Sequence, residues 1–373
     1  MKMTNKLFLL GAAVAFCACS NEEVVAPEIN VDNSEVAIQL GSSDAVTVTR
    51  AAVTNENKDL AGIGVWCLAK DVMQENLNPQ DIKWFGTQPE NLTCCIMKNV
   101  KSSVKNGNVR WDDPNAQYFY PQTQFYRYEF YANYPYTTNL NYTQTSVSAN
   151  YTIDGTQDLI WGRATSEEDY AWSAKYFRVN GGQTETNRPK LKLEHLLTRL
   201  VFFVQPGAQV EIEGASEDEM DYTAARSMII DTLQICDAST RLTMNVANFN
   251  RLDMSIGDRL IRSSSKTDTL YLKDASGAIV NPKQVPSLPS LKEQWGESIM
   301  LFPSNQYTIR VVLHDNAGHR FCSEIPLVLA NQPNGFERGK SYNITVTVHG
   351  ATSPTLGAEL TDWEEVEGPS LNL

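Results

Sequence analysis

The chain has 373 residues, room for two domains of ordinary size, and its 42% hydrophobic content is enough for sizeable cores. A formal charge of −13 argues against nucleic acid or an anionic membrane surface as the main partner.

The N-terminus carries Lys2 and Lys6, an apolar run from Leu7 to Phe16, then small Ala18 before Cys19. About ten apolar residues are too few to span a bilayer, so the run reads as a secretory signal over residues 1–18. Its end is similar to a bacterial lipobox, in which the peptidase cuts before a cysteine that has received a diacylglyceryl group. Cys19 fits that place better than Cys17, which follows bulky Phe16; Phe16 also stands where a leucine is usual, three residues before Cys19. A lipid there would tether the protein to the outer membrane through buried acyl chains. Asn21, Glu22 and Glu23 resemble the export signal that sends lipoproteins of gut and oral anaerobes to the cell surface.

Residues 19–50 read as a polar tether followed by a strand region. In "EVAIQLGSSDAVTVTR", Val36, Ile38 and Leu40 alternate with polar or small residues. Gly41-Ser42-Ser43 interrupts the pattern, Val46 and Val48 alternate again, and Arg50 ends the second of these two short strand patterns. Strand follows strand thereafter. Ile63, Val65 and Cys67 share a face. In "YRYEFYANYPY", Tyr126, Tyr128, Phe130, Ala132 and Tyr134 lie on one face, with Arg127, Glu129, Tyr131 and Asn133 on the other, and Pro135 closes the strand. Gly181-Gly182 and Pro189 bracket an expected domain junction, which places one domain at 51–188 and a second at 189–373.

The second domain opens with "LKLEHLLTRLVFFVQPG", where Leu200, Phe202 and Val204 alternate up to Pro206-Gly207. A hairpin pattern runs from Tyr307 to Leu313 and from Phe321 to Val328, and Tyr342, Ile344, Val346 and Val348 alternate cleanly. The tail 356–373 is acidic, with Leu360, Trp363 and Val366 interspersed. Many short strands with turn signals and no long amphipathic helix predict an all-β protein, two β-sandwiches in tandem.

"GFERGKS" at Gly335–Ser341 has one residue too few for a Walker A loop, and a strand pattern follows it instead of a helix, so it reads as a turn. His314 and His319 flank a hairpin turn beside Asp315, without the ligand spacing of a metal site. Glu217, Asp218, Glu219 and Asp221 lack an EF-hand pattern and read as a solvated loop. No hydrolase, zinc-protease or kinase motif is present, and no catalytic role or cofactor is expected. Beyond the signal the five cysteines Cys67, Cys94, Cys95, Cys236 and Cys322 are odd in number and form no disulfide framework. The aromatic belt from Trp111 to Tyr136 raises a second reading, a monomeric glycan-binding surface lipoprotein.

Several pieces resemble the fimbrillin family, surface lipoproteins that build the fimbriae of anaerobic Gram-negative bacteria. They are the lipobox at Cys19, "TRA" at 49–51, "YFYPQTQFYRYEFYANYPY" at 118–136, "LKLEHLLTRLVFFV" at 191–204, and the closing "GKSYNITVTV". The resemblance implies two sandwiches of transthyretin-like Greek-key topology and a structural or adhesive fimbrial (pilus) subunit at the cell surface. It also implies proteolytic processing between Arg50 and Ala51. That cut would free an N-terminal strand carrying Val36, Ile38, Leu40, Val46 and Val48, and the emptied groove would take a strand from a neighbouring subunit. Other fimbrial subunits are then the main partners, with a host or bacterial surface glycan or protein as an adhesion target. The tail 356–373 is a candidate donor strand.

Overall fold

Alternation of apolar and polar residues dominates the chain, and the structure turns it into strands with almost no helix. The computed structural model describes residues 34–42, 59–71, 95–122, 126–143, 146–166, 171–248, 259–329 and 334–361. Up to residue 195 the elements are β1 (Gly41–Ser42), β2 (Leu60–Asp71), β3 (Cys95–Lys105), β4 (Asn108–Trp111), β5 (Tyr126–Tyr134), β6 (Leu140–Tyr142), β7 (Ser146–Thr152), β8 (Ile160–Ala164), the short helix α1 (Ala174–Val179) and β9 (Lys190–His195). Then follow β10 (Thr198–Pro206), the single-turn helix α2 (Thr223–Arg226), β11 (Met228–Ala238), β12 (Arg241–Asn248), β13 (Leu260–Arg262), β14 (Asp268–Tyr271), β15 (Lys283–Gln284), β16 (Glu293–Gln294), β17 (Ile299–Leu301), β18 (Gln306–Asp315), β19 (Arg320–Val328), β20 (Ser341–Val348) and β21 (Thr355–Thr361). The all-β expectation holds.

Seven strands close into a barrel in the order β1-β4-β3-β2-β5-β8-β9, with β9 returning to β1. Its interior holds Ile63, Val65 and Cys67 of β2, Tyr128, Phe130 and Ala132 of β5, and Leu191 and Leu193 of β9. These are the residues whose period of two places them on one face of each strand. Burial pushes the Cys67 thiol up, which makes it a small apolar filler and a poor nucleophile. Helix α1 packs Phe177, fully buried, against this core. It starts at Ser173, whose Oγ accepts the Tyr176 N–H at 3.0 Å.

The last part of the chain forms two sheets that share one core. One runs β16-β10-β20-β21 with β17 also on β10; the other runs β14-β11-β18-β19 with β15 on β11. Leu200, Phe202 and Val204 of β10 and Ile344, Val346 and Val348 of β20 meet Ile230, Leu233 and Ile235 of β11 and Ile309, Val311 and Leu313 of β18. Strands β10 and β20 pair in parallel over eight residues, from Arg199↔Ser341 to Pro206↔Val348. The "GFERGKS" stretch is a turn, as expected: Gly339 has φ 64, and Phe336 plugs the core.

A fourth sheet, β13-β12-β7-β6, joins the two halves. Strand β12 pairs antiparallel with β7 from Arg241↔Thr152 to Asn248↔Ser146. Pairing therefore crosses the junction predicted at 188/189, and β9, just after that junction, belongs to the barrel wall. A third core sits here, with Trp66 and Leu68 of β2, Tyr131 of β5 and Trp161 of β8 packed against Leu242, Met244 and Val246 of β12. Trp161 Nε1–H donates to the Val246 carbonyl at 2.8 Å, and Trp66 Nε1–H to Asn133 Oδ1 at 2.9 Å.

This third core explains the composition of β5. Both of its faces are buried: Phe130 is 0% exposed inside the barrel, while Glu129 is 4% and Asn133 0% exposed on the outer side. The polar residues there belong to a buried network. Tyr131 donates its O–H to Glu129 at 2.6 Å, and Asn133 bridges Trp66 to the Tyr151 hydroxyl. Pairing of this kind offsets the cost of burying polar groups.

A loop contact adds to the join. The Met300 N–H donates to the Gly155 carbonyl at 2.8 Å, and Lys273 Nζ donates to Asp154 at 2.8 Å. Gly155 has φ 87, and a Cβ there would lie 2.6 Å from Ile299 Cγ1, so only glycine lets the loop sit this close. Burial pushes the Asp154 carboxyl up, but hydrogen bonds from Lys273 and Thr156 outweigh it and bring it down to about 2.

Two outcomes follow. Leu242→Ala, which opens a hole in the third core, is expected to cost ~2–5 kcal/mol and to lower the urea midpoint of both halves together; coincident tryptophan fluorescence and far-UV circular dichroism transitions check this. The Asp154 contribution is complete above pH ~4 and is lost as pH falls toward 2, because the folded-state carboxyl titrates below the unfolded one. Its side chain is 45% exposed, so solvent screening holds the contribution to ~1 kcal/mol or less. Asp154→Asn is expected to flatten the acid limb of the stability curve by that amount, read from urea midpoints at pH 4, 3 and 2.

Candidate functional site

The barrel wall is complete only because an extended segment near the N-terminus lies in it. Strands β4 and β9 do not pair with each other; residues 36–42 run between them, antiparallel to β4 and parallel to β9. Val36, Ile38 and Leu40 point inward, as their alternation predicts. Ile38 and Leu40 are 4% and 2% exposed, and Val36 packs half-buried against the same core. Ala37 and Gln39 face outward and are exposed.

On one edge of the segment a regular ladder forms. The Tyr120 N–H donates to the Val36 carbonyl at 2.9 Å, the Ile38 N–H to Tyr118 at 2.7 Å, the Val109 N–H to Leu40 at 2.9 Å and the Ser42 N–H to Gly107 at 2.9 Å. On the other edge the Gly41 N–H donates to the Pro189 carbonyl at 2.9 Å. The side-chain amide of Gln183 takes up Ala37 and Gln39 on that same edge.

Gly41 and Ser42, where the apolar alternation breaks in the sequence, form β1, the place where the segment touches both neighbours. A Cβ on Gly41 would lie 3.2 Å from Lys190 Cγ and 3.3 Å from Arg188 Nε. The glycine permits close passage between strands.

Of the residues marked in the sequence as lipidation, processing or strand residues, Val36, Ile38 and Leu40 are thus brought together in the wall. Cys19, Val46, Val48, Arg50 and Ala51 lie outside the described residues, as does the tail after Thr361. Gln183 has no signal of its own in the sequence; it sits beside the Gly181-Gly182 pair, and its role depends on a segment 144 residues away in sequence.

Other candidate groups resolve into local structure. His314 Nδ1 lies 2.7 Å from Asp231, and His319 Nδ1 lies 2.9 Å from Asp315, so the two imidazoles turn to different carboxylates. Among the described residues no group of three or more His, Cys, Asp or Glu side chains is arranged to hold a metal ion. In the acidic loop Glu219 accepts from Ser216, Asp221 from the Thr223 N–H and Glu217 from the Ser290 N–H. Cys67 and Cys236 are buried, Cys95 half-buried and Cys322 exposed, all as free thiols; Cys94 lies outside the described residues. The aromatic belt stacks on itself. Tyr120 meets Tyr128 at 5.2 Å and Phe177 at 5.4 Å between ring centroids, and Trp111 meets Tyr118 at 5.5 Å. Tyr120, Tyr128, Phe130 and Tyr131 are buried, which withdraws these rings from stacking on a sugar.

The profile of a family described as fimbrillin-like matches residues 49–363. Similar solved structures include a candidate cell adhesion protein from Bacteroides uniformis, 15% identical, covering 88% of this chain and 99% of that one with a TM-score of 0.48. The fimbrial anchor protein Mfa2 from Porphyromonas gingivalis is 9% identical, covering 88% and 98% with a TM-score of 0.35. A fimbrial protein from Bacteroides ovatus is 12% identical, covering 85% of this chain and 50% of that one with a TM-score of 0.30. No curated relative matches the chain.

The geometry of the segment sets a contrast between its two faces. Leu40→Ala is expected to destabilise the protein by ~2–4 kcal/mol through the cavity left in the barrel. Gln39→Ala, on the outward face with only its main chain engaged, is expected to stay within ~0.5 kcal/mol of the parent. Urea unfolding of both variants measures the difference.

Proposed function

The chain belongs to the fimbrillin-like family, and from that premise we propose that it is a structural or adhesive fimbrial subunit assembled by strand exchange. In this reading it is exported with the signal 1–18, lipidated on Cys19 and held at the outer face of the outer membrane. A protease then cuts between Arg50 and Ala51, residues 19–50 leave, and the gap in the barrel receives a strand from another subunit. Val36, Ile38, Leu40, Val46 and Val48 are the residues of the departing strand. The tail 356–373 is a candidate donor, since β21 lies at the edge of its sheet and the chain runs on from it.

One observation carries this reading. The segment 36–42 is an integral stave of the wall, yet it is held by edge hydrogen bonds and three alternating apolar side chains, which is what β-augmentation by a separate chain requires. A cut downstream of it, with loss of the segment, leaves the carbonyls of Gly107 and Tyr118 and the N–H groups of Val109 and Tyr120 unpaired. Such groups cost free energy when buried unpaired and favour any strand that restores the ladder.

The same reading takes the chain as two sandwiches of transthyretin-like Greek-key topology, over 51–188 and 189–373, the first borrowing β9 from beyond that boundary and sealed by the N-terminal strand. Partners are then other fimbrial subunits, with a surface glycan or protein as an adhesion target.

The test is the first residue of the protein recovered from the cell surface. Assembled material is expected to begin at Ala51 and to run as an SDS-resistant ladder, whereas Arg50→Ala is expected to keep its N-terminus at Cys19 and remain monomeric. Assembled material that retains Cys19 would refute assembly through this cut.

A further inference from the structure

The gap between β4 and β9 is paired unevenly. On the β4 side, Val36, Ile38, Leu40 and Ser42 all have backbone partners. On the β9 side, strand pairing covers only Gly41↔Lys190 and Ser42↔Leu191, because residues 184–188 turn away. Farther up that edge, a side chain takes the place of a strand. Gln183 Oε1 accepts the Gln39 N–H at 3.2 Å, and Gln183 Nε2–H donates to the Ala37 carbonyl.

That pair of bonds has a specific form. In a parallel ladder, one residue of the neighbour strand donates its N–H to residue i−1 and accepts from the N–H of residue i+1. With Ile38 as residue i, the Gln183 carboxamide makes both bonds with a single planar amide. The orientation of the amide is fixed by its partners, since the Ala37 carbonyl only accepts and the Gln39 N–H only donates. The carboxamide thus continues the β9 ladder where β9 itself does not reach.

The loop around Gln183 is built to hold it there. Gly181 and Gly182 have φ values of 76 and 95, which let the chain reverse directly after α1. The Gly182 N–H donates to Phe177 at 2.7 Å, and Asn187 Nδ2–H donates to the Gly182 carbonyl at 2.8 Å. The Thr184 N–H donates to Asn187 Oδ1 at 2.7 Å. Gln183 is therefore flanked by a loop tied to its own helix and to its own next turn.

We propose that Gln183 is the positioning residue of this gap, its side-chain amide standing in for one residue of a parallel neighbour strand. It reads main chain alone, at the places of Ala37 and Gln39, and leaves the identity of the outward side chains open. It sets phase: an occupant meets it only with a carbonyl and an N–H on the β9-facing edge, which turns the side chain between them, Ile38 in the chain's own segment, to the inner face. For the chain's own segment this follows from the contacts above. Its extension to a strand from another subunit rests on the strand-exchange reading.

The test uses the full chain and hydrogen exchange read by mass spectrometry. Gln183→Ala and Gln183→Met, the second keeping the bulk without the amide, are expected to raise exchange in residues 34–42 about tenfold, the loss of two net hydrogen bonds. Gln183→Glu, which still accepts from Gln39 but cannot donate to Ala37, is expected to fall between them and the parent. Exchange in β20 is expected to stay unchanged, as is exchange in 34–42 for Gln39→Ala. Unchanged exchange in 34–42 for Gln183→Ala and Gln183→Met would overturn the assignment. An equal rise in β20 would overturn it too, since Gln183 would then serve overall stability. A faster-exchanging segment in a protein that never forms ladders would leave Gln183 as the positioning residue and remove the assembly reading instead.

Discussion

Two strands that cannot reach each other set the organisation of the first half of this protein. The β4 edge and the start of β9 leave a gap one strand wide, and backbone N–H and C=O groups facing such a gap require partners. Residues 36–42 provide them on both sides. The barrel interior, with Tyr128, Phe130 and Leu191, is sealed from solvent only with Ile38 and Leu40 in place. Closure abolishes free edges in a small barrel, so the one stave contributed from outside the main run of strands decides whether an edge exists at all.

The second constraint is the third core. Strand β5 is buried on both faces because the outer barrel wall is packed against the sheet that holds β7 and β12. The halves are not two bodies on a linker. They share a sheet, and two indole N–H groups donate into the join, one to the Val246 carbonyl and one to Asn133. These bonds, with that from Tyr131 to Glu129, offset part of the cost of burying β5 on both faces.

Much of this was legible in the sequence, and the pattern of what was not has a physical cause. Period-two alternation placed Val36, Ile38 and Leu40 inward, set Tyr128, Phe130 and Ala132 on one face, and marked the turn at Gly335–Ser341, because these depend on local geometry. It placed Arg127, Glu129 and Asn133 on the opposite face without revealing that a second layer covers it, since burial there depends on a sheet assembled from residues about a hundred positions away. The strand at Gly41 and Ser42 was hidden because apolar alternation stops there, and the need for glycine comes from Lys190 and Arg188 overhead, far along the chain. Gln183 left no trace, since a side chain that imitates backbone has no periodicity. Family resemblance supplied the overall class through the order of motifs that are individually loose.

The welded join between the halves has a mechanical consequence. In any filament made of such units, bending within a unit must strain the β7–β12 ladder and the third core together, whereas bending between units strains only the contacts at the joint. Compliance is then confined to the joints, and the filament behaves as a row of stiff segments, each one whole chain long, with its curvature set by the subunit contacts and not by the subunits.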